Sequence, residues 1–318
     1  MKPFGARDHG GGLDAAMARY GGERADWLDL STGINPHPYP LPRFAPQDWT
    51  ALPDAAAMAA LETAARGFWG VPAGAALLAA PGASALIARI PALMPKGRVR
   101  VANRTYNEHA GAFSDAGWQV VRDGAAEARV VVHPNNPTGT YWTATEDGPA
   151  RGLLVIDESF CDIAPDQSHI GTMATAPGVV ILKSLGKFWG LAGARLGFAI
   201  GDPAHIASLA RMLGPWPVSG PALAIGTAAL RDTDWADRTR QRLRADSARL
   251  DAVMEARGAT LAGGTTLFRL YDVGDAQDWQ NRLARGRVWS RAFPYDARWL
   301  RLGLPPEDRW DQLEAALP

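Results

Sequence analysis

The sequence predicts an α/β fold in which helices cover a mostly parallel β-sheet and a smaller C-terminal α+β domain follows. Between residues 77 and 200, short apolar runs alternate with segments of helical pattern, which is typical of parallel strands joined by helices. A segment rich in Gly and Pro at 213–221 then interrupts the chain, and further strands and helices follow it. We therefore predict three parts: an N-terminal arm that joins the small domain (1–48), a large domain (49–220) and a small C-terminal domain (221–318).

The first part of the chain is rich in Gly and Pro, and we predict that it is irregular apart from a short helix near 13–20. Residues 54–69 are predicted to form a helix because they are rich in Ala and have an acidic start. Further helices are predicted at 84–93 and 108–116. The predicted strands of the large domain are the apolar runs at 77–80, 99–102, 118–121, 130–133, 153–157, 179–182 and 196–200.

A long charged helix is predicted at 234–257, because four apolar residues form a stripe at helical spacing along it. These residues are Leu243, Leu250, Val253 and Met254. Strands at 265–270 and 299–304 and helices near 278–284 and at 307–317 are predicted to complete the small domain.

The composition excludes several classes of protein. Lys and Arg together number 33, as do Asp and Glu, so the formal net charge is zero. An excess of positive charge that would attract nucleic acid or a membrane surface is therefore not expected. The longest apolar stretch, 75–94, contains prolines and an arginine and does not suit a membrane span, and the N-terminus lacks the apolar core of a signal peptide. The single cysteine, Cys161, excludes an internal disulfide, so we expect a reducing, cytoplasmic location.

Lys187 lies in the segment that says most about chemistry. An apolar run at 179–182 leads to Ser184, Lys187 follows three residues later, and Arg195 follows eight residues after that. Large apolar side chains flank the lysine: Phe188, Trp189 and Leu191. These neighbours indicate burial, and a buried lysine loses its charge readily and becomes a nucleophilic amine. Such an amine suits Schiff-base chemistry with a carbonyl cofactor.

Two earlier segments add to this pattern. Asn136 lies in an Asn-Pro-Thr-Gly turn that follows an apolar run at 130–132, and Asp157 ends the predicted strand at 153–157. Each signal is weak alone, because many α/β strands end in Asp and the turn could be an ordinary one. Their order along the chain, followed by Ser-x-x-Lys and Arg, carries the information.

In this order the segments resemble those of the fold-type I pyridoxal 5'-phosphate (PLP) enzymes, the aspartate aminotransferase superfamily. The resemblance implies the PLP-transferase type I fold, with PLP bound in the large domain and no metal. It implies that Lys187 forms the Schiff base, that Asp157 keeps the pyridine nitrogen protonated, and that Asn136 donates to the phenolic oxygen. Ser184 and Arg195 would hold the cofactor phosphate.

Two further cofactor contacts follow from the same resemblance. Gly82, Ala83 and Ser84 open a helix after a strand, where backbone N–H groups suit a phosphate. Tyr106 and His109 lie where the family places the group that stacks on the pyridine ring, and His109 is the better match. A core tyrosine or a surface histidine remains an alternative for these two residues.

The N-terminal arm resembles that of one branch, the threonine-phosphate decarboxylases of cobalamin biosynthesis. His9 is followed by three glycines, and Asn35 precedes a proline. Phe160 also fits this branch, since many relatives, including the histidinol-phosphate aminotransferases, carry a tyrosine there that bonds to the phenolic oxygen. Phenylalanine cannot do so, and Asn136 must therefore contribute more here.

Both branches act on a phosphorylated amino compound, so the resemblance implies a second anion site. Its candidate residues are His9, Asn35, Arg291 and Arg301. Arg301 would bind the substrate carboxylate through a bidentate fork, and His9 with Asn35 would bind the substrate phosphate, while Arg291 suits either group. A surface position for the arginines and a flexible arm for His9 are the alternatives.

We therefore expect decarboxylation of L-threonine O-3-phosphate to (R)-1-amino-2-propanol O-2-phosphate, by a homodimer that binds neither nucleic acid nor membrane. The first alternative is an aminotransferase of the histidinol-phosphate type. A cofactor-free regulatory or scaffolding relative is the second, and the retention of Asn136, Asp157, Lys187 and Arg195 argues against it.

Overall fold

A computed structural model describes residues 9–144 and 152–318. The chain divides into two compact units. Of the described residues, the first unit contains 9–37, 137–140 and 238–318, and the second contains 38–136, 141–144 and 152–237. The domain boundaries predicted from the sequence lie at 48/49 and 220/221, so residues 38–48 and 221–237 fall in the second unit.

The helices and strands are numbered in chain order. The helices are α1 (Leu13–Tyr20), α2 (Pro46–Thr50), α3 (Ala55–Trp69), α4 (Ala83–Ile87), α5 (Asn107–Asp115), α6 (Ile170–Met173), α7 (Pro203–Leu213), α8 (Gly220–Arg231), α9 (Thr233–Glu255), α10 (Ala276–Arg285) and α11 (Trp310–Ala316). The strands are β1 (Leu28–Asp29), β2 (Ala76–Ala80), β3 (Arg98–Val101), β4 (Gln119–Val121), β5 (Ala128–Val132), β6 (Leu153–Asp157), β7 (Val179–Ser184), β8 (Gly197–Gly201), β9 (Thr260–Thr265), β10 (Phe268–Asp272), β11 (Val288–Trp289), β12 (Arg291–Phe293) and β13 (Asp296–Gly303).

The second unit is built on a seven-stranded sheet in the order β2-β8-β7-β6-β5-β3-β4. All neighbouring strands are parallel except β8, which runs antiparallel to both β2 and β7. This confirms the predicted α/β fold with a mostly parallel sheet. The carboxyl ends of β5, β6 and β7 meet at one edge, and this is where parallel α/β sheets place their ligands.

Both faces of this sheet are covered. Alternate residues of β6 and β7 enter two separate apolar clusters, with Val155 and Val180 in one and Ile156 and Ile181 in the other. A strand buried on both faces is read as a continuous apolar run, which is why these two strands were predictable. Helix α3 also forms as predicted, and Asp54 caps it by accepting a hydrogen bond of 2.8 Å from the Ala57 amide.

The first unit contains a four-stranded antiparallel sheet in the order β12-β13-β10-β9 and a parallel pair of β1 with β11. This pair ties the N-terminal segment to the C-terminal part, as predicted. The strand predicted at 265–270 is confirmed at residues 268–270, which lie in β10, but its start is wrong because the chain turns there between β9 and β10. Thr265 makes the turn, since its hydroxyl accepts a hydrogen bond of 3.1 Å from the Leu267 amide.

The helix predicted at 84–93 is also corrected, because α4 ends at Ile87 and a separate 3-10 turn follows at Ile90–Leu93. Pro91 has no N–H group, so it cannot continue the helical hydrogen bonding. In the described part of the chain, no helix combines the length and apolarity that crossing a membrane requires.

Candidate active site

A pocket of the second unit opens at the carboxyl edge of β5, β6 and β7. Seven of the predicted cofactor residues line it: Ala83, Ser84, Asn136, Asp157, Ser184, Lys187 and Arg195. They come from segments spread over more than a third of the chain, and the crossovers of the sheet bring them together. Tyr106, Ser159 and Phe160 complete its polar and aromatic wall.

Asp157 is the carboxylate at the floor of the pocket. Its Oδ2 lies 2.8 Å from Nε2 of His109, and its Oδ1 accepts hydrogen bonds from the amide and hydroxyl of Ser159, at 3.0 and 2.5 Å. Burial alone would raise the pKa of Asp157, but the bonds from His109 and Ser159 outweigh burial and hold the pKa below its ordinary value. Asp157 is thus ionised, and its hydrogen bonds fix the orientation of its carboxylate. A residue that pairs with a protonated ring nitrogen requires both properties.

His109 and Tyr106, the two residues predicted for the stacking position, lie in different places. His109 is 1% exposed and lies behind Asp157, whereas Tyr106 lines the pocket itself. An ionised carboxylate only accepts hydrogen bonds, so Nε2 of His109 carries the proton of their bond. Of the two residues, Tyr106 is therefore the one placed to contact a group bound in the pocket, and His109 is placed to orient the carboxylate.

Lys187 reaches the pocket from the loop after β7. Phe188, Trp189 and Leu191 beside it are buried, as predicted, while the Lys187 side chain is half-buried and faces the pocket. Its Nζ lies 5.3 Å from the centre of the Phe160 ring. An aromatic face attracts an ammonium group, so this contact helps to fix the position of the amine.

Three residues of the pocket wall have side chains that suit a phosphate. They are Ser84, Ser184 and Arg195, and Nη1 of Arg195 donates a hydrogen bond of 3.1 Å to the Ala192 carbonyl. A Cβ on Gly82, which has φ of +81°, would lie 2.7 Å from Nη2 of Arg195, so only glycine allows this close approach. Arg195 itself has φ of +49°, an uncommon backbone conformation that clusters at functional sites.

These donors fit PLP. The pocket pairs an ionised carboxylate with a reachable lysine amine, and it places two hydroxyls and a guanidinium together, which is the set that the ring nitrogen, the carbonyl carbon and the phosphate require. Among residues 9–144 and 152–318, no cluster of His, Cys, Asp or Glu is arranged for a metal ion.

Arg301 and the N-terminal arm belong to the first unit. Arg301 is buried, and its Nη2 donates a hydrogen bond of 2.5 Å to the Ser31 carbonyl. The arm is attached to the same residue, since the Gly11 amide donates to Oγ of Ser31 at 2.7 Å. A Cβ on Gly10 would lie 2.4 Å from the Ser31 carbonyl oxygen, so a glycine is required next to His9.

Arg291 lies directly opposite Arg301 in the antiparallel pair of β12 and β13. Directly opposed residues of an antiparallel pair lie on the same face of the sheet. Their guanidinium groups lie over aromatic rings, that of Arg291 at 5.4 Å from the centre of Phe293 and that of Arg301 at 5.2 Å from the centre of Phe268.

Asn35 is buried in the first unit with its amide orientation fixed. Its Oδ1 accepts hydrogen bonds from the His37 amide at 3.0 Å and from Nη2 of Arg242 at 2.7 Å. Burial lowers the pKa of Arg242. Sequence reasoning missed Arg242 because it lies among the alternating charges of α9, which look like a solvated helix face.

Comparisons with known proteins agree with this geometry. A family model described as aminotransferase class I and II matches residues 25–317. Two curated relatives, named threonine-phosphate decarboxylase, come from Pseudomonas aeruginosa and from a Sinorhizobium species. The first is 42% identical over 98% of this chain and 97% of its own, and the second is 38% identical over 96% and 95%.

Solved structures show the same fold. The histidinol-phosphate aminotransferase from Sinorhizobium meliloti, in complex with pyridoxal-5'-phosphate, aligns with a TM-score of 0.81. The alignment covers 97% of this chain and 94% of that chain at 20% sequence identity, so the likeness is one of fold.

Proposed function

The chain belongs to the family of class I and II aminotransferases, and on that premise we propose that it is a PLP-dependent decarboxylase of L-threonine O-3-phosphate. Its product is (R)-1-amino-2-propanol O-2-phosphate, an intermediate of cobalamin biosynthesis. The observation that carries this proposal is the near full-length identity of 42% and 38% to two threonine-phosphate decarboxylases. The pocket supports it with every group that the cofactor needs.

Bound PLP supplies an electron sink for the substrate bond that breaks at Cα. Lys187 would provide the amine that holds the cofactor carbonyl. Asp157, oriented by His109, keeps the ring nitrogen protonated. Asn136 donates to the phenolic oxygen without help from a tyrosine, because Phe160 stands in the pocket wall.

The cofactor phosphate is bound by Ser84, Ser184 and Arg195, beside the backbone of Gly82 and Ala83. The substrate is a small phosphorylated amino acid with two anionic groups. Arg301 binds its carboxylate, His9 and Asn35 bind its phosphate, and Arg291 serves either group. The register of β12 and β13 supports this assignment, since it brings the two arginines to opposed positions on one face of the sheet.

The second candidate function is that of a histidinol-phosphate aminotransferase. The likeness to the solved structure of that name, at 20% identity, concerns the fold and does not separate the two activities. Phe160 in the pocket favours the decarboxylase, since the aminotransferases carry a tyrosine there.

The test is to supply the protein with PLP and threonine phosphate, with and without a 2-oxo acid. Carbon dioxide released without the oxo acid supports the decarboxylase, and turnover that requires it selects the aminotransferase.

We also propose that the protein works as a homodimer in the cytoplasm. Three large apolar side chains within residues 41–52 of the second unit support the dimer. Leu41, Trp49 and Leu52 are 69%, 69% and 66% exposed, which is unusual for clustered apolar residues of a monomer. A second copy of the chain would bury them.

A further inference from the structure

A charged network is buried directly behind the pocket. Lys183 is 1% exposed, and its Nζ lies 2.8 Å from Oε2 of Glu158 and 3.1 Å from Oδ1 of Asp162. Both carboxylates are buried as well. Two negative groups and one positive group thus share a site from which water is excluded, and such an arrangement is costly unless hydrogen bonds satisfy every member.

The hydrogen bonds are present. Glu158 accepts from the Ser168 hydroxyl and the His169 amide, both at 2.7 Å. Burial acts to raise the pKa of Glu158, but Lys183 and these donors outweigh it and lower the pKa. For Lys183, burial acts to lower the pKa, and the two carboxylates outweigh it and raise the pKa. Glu158 and Lys183 therefore both stay charged.

Asp162 connects this network to two tryptophans. The indole Nε1 of Trp69 donates to Oδ1 and the indole Nε1 of Trp189 donates to Oδ2, each at 3.0 Å. Trp69 is the last residue of α3, far from the lysine loop in sequence, whereas Trp189 lies two residues after Lys187. Asp162 thus accepts two indole hydrogen bonds of equal length. Only the bond from Trp189 reaches the loop that carries Lys187.

Trp189 is the anchor of that loop. It is fully buried and stacks on Trp235, with ring centres 5.2 Å apart and an angle of 12° between the rings. Apolar packing holds such a ring in place but allows it to slide, whereas a hydrogen bond to a fixed charge sets its direction. Lys187 and Trp189 lie in one turn, which is closed by a hydrogen bond of 3.1 Å from the Gly190 amide to the Lys187 carbonyl, so the position of Trp189 bears on the backbone that carries the lysine.

We propose that Asp162 is a positioning residue for Lys187 and acts through its hydrogen bond to Trp189. Glu158 and Lys183 hold Asp162 in place, so the buried network sets the lysine loop relative to Asp157 and the pocket. This inference rests on the role proposed above for Lys187. A misplacement of ~1 Å can cost about a hundredfold in rate, so a single such bond matters to the reaction.

The two tryptophans provide a matched test, because the same substitution removes one equivalent bond in each case. Trp189→Phe and Trp69→Phe are compared for the thermal unfolding of the apoprotein, the visible absorption of the bound cofactor against pH, kcat and KM. We expect both variants to lose stability. Only Trp189→Phe should shift the pH midpoint of the visible band, by about one pH unit. The reason is that the Lys187 nitrogen, which holds the cofactor, moves relative to the Phe160 ring.

Only Trp189→Phe should also lower kcat, by about ten- to a hundredfold, the effect of one hydrogen bond to a charged group. Its KM should change far less, because the substrate anion sites are untouched. Equal behaviour of the two variants in titration and kcat, whether both are normal or both impaired, would overturn the proposal.

Asp162→Asn is the second variant and covers the case in which Trp189→Phe does not fold. It weakens both indole bonds while keeping the shape of the side chain, and we expect the same shift of the visible band as in Trp189→Phe. A folded Asp162→Asn protein that titrates like the wild type would contradict the positioning role. Wild-type protein that forms no borohydride-reducible link to PLP would instead contradict the proposed function, so the two failures are distinct.

Discussion

Lys187 differs in its surroundings from Lys96 and Lys183, the other lysines within the described residues. It is half-buried in the pocket, with its Nζ over the Phe160 ring, whereas Lys183 is sealed in an ion network and Lys96 is exposed. We expect Lys187→Ala to abolish turnover and the borohydride-reducible link to PLP while the apoprotein unfolds at an unchanged temperature. Lys96→Ala is the control and should keep both. A reducible link in the Lys187→Ala protein would show that another amine holds the cofactor.

The two anion sites should be separable by substitution. Arg301→Ala should weaken binding of every amino-acid substrate, phosphorylated or not, because it removes the carboxylate partner. His9→Ala should instead reduce the preference for threonine phosphate over threonine by about ten- to a hundredfold, the effect of one charged hydrogen bond. The measurement is kcat/KM for both substrates. An unchanged preference in His9→Ala would exclude the N-terminal arm from the phosphate site.

Some residue roles could not be read from the sequence. Tyr106 and His109 are three residues apart at the start of α5, so spacing alone puts both on one side of the helix. The structure separates them, since His109 is bonded to Asp157 and Tyr106 faces the pocket. Arg242 was hidden for another reason, because its partner Asn35 lies 207 residues away in the chain.

At the scale of elements, strands buried on both faces were the most predictable features. The predicted bounds of β6 agree with the structure because its apolar run is continuous and ends in a carboxylate. Strand β9 was not predicted, since its two glycines interrupt the pattern of a strand, and the strand predicted at 265–270 began in the turn before β10. The order of strands in the sheet, which assembles the pocket, depends on long-range pairing that no local pattern encodes.

The contact between Glu158, at the end of β6, and Lys183, in β7, has a consequence for stability against pH. Burial opposes ionisation, but Lys183 lowers the pKa of Glu158 below its ordinary 4.5. The contribution of ionised Glu158 to folding stability is therefore present above about pH 4.5, and it is lost as the pH falls through the pKa of the folded state. We expect thermal unfolding of the apoprotein to shift to lower temperature below that pH. Glu158→Gln should lower the free energy of unfolding at pH 7 by roughly 3 kcal/mol. Its stability should also fall less than that of the wild type when the pH is lowered.

Glu62 offers a matched control for Glu158. It forms an exposed ion pair with Arg66 at 2.9 Å within α3, and such pairs contribute at most about 1 kcal/mol. Glu62→Gln should therefore unfold almost like the wild type at pH 7 and keep its acid dependence. Equal unfolding curves for the Glu158 and Glu62 variants would mean that the buried pair contributes no net stability.

For the whole molecule, the exposed apolar residues of segment 41–52 predict self-association. We expect the wild-type protein to sediment as a dimer at assay concentration. Trp49→Arg should shift it toward the monomer, because an arginine in an apolar interface is buried without a partner. Leu261→Arg, at an exposed residue of the first unit, is the control and should leave the dimer intact. A fully active wild-type monomer would contradict the dimer.

The measurement that tests the proposed activity most directly follows the bond broken at Cα. The wild-type protein with PLP is incubated with threonine phosphate in deuterium oxide, without a 2-oxo acid, and substrate and product are analysed by NMR. We expect carbon dioxide in equal amount to 1-amino-2-propanol phosphate, one deuterium on the carbon that lost the carboxylate, and recovered substrate that keeps its hydrogen at Cα. Recovered substrate that carries deuterium at Cα, with no carbon dioxide released, would contradict decarboxylation and indicate the proton abstraction of an aminotransferase.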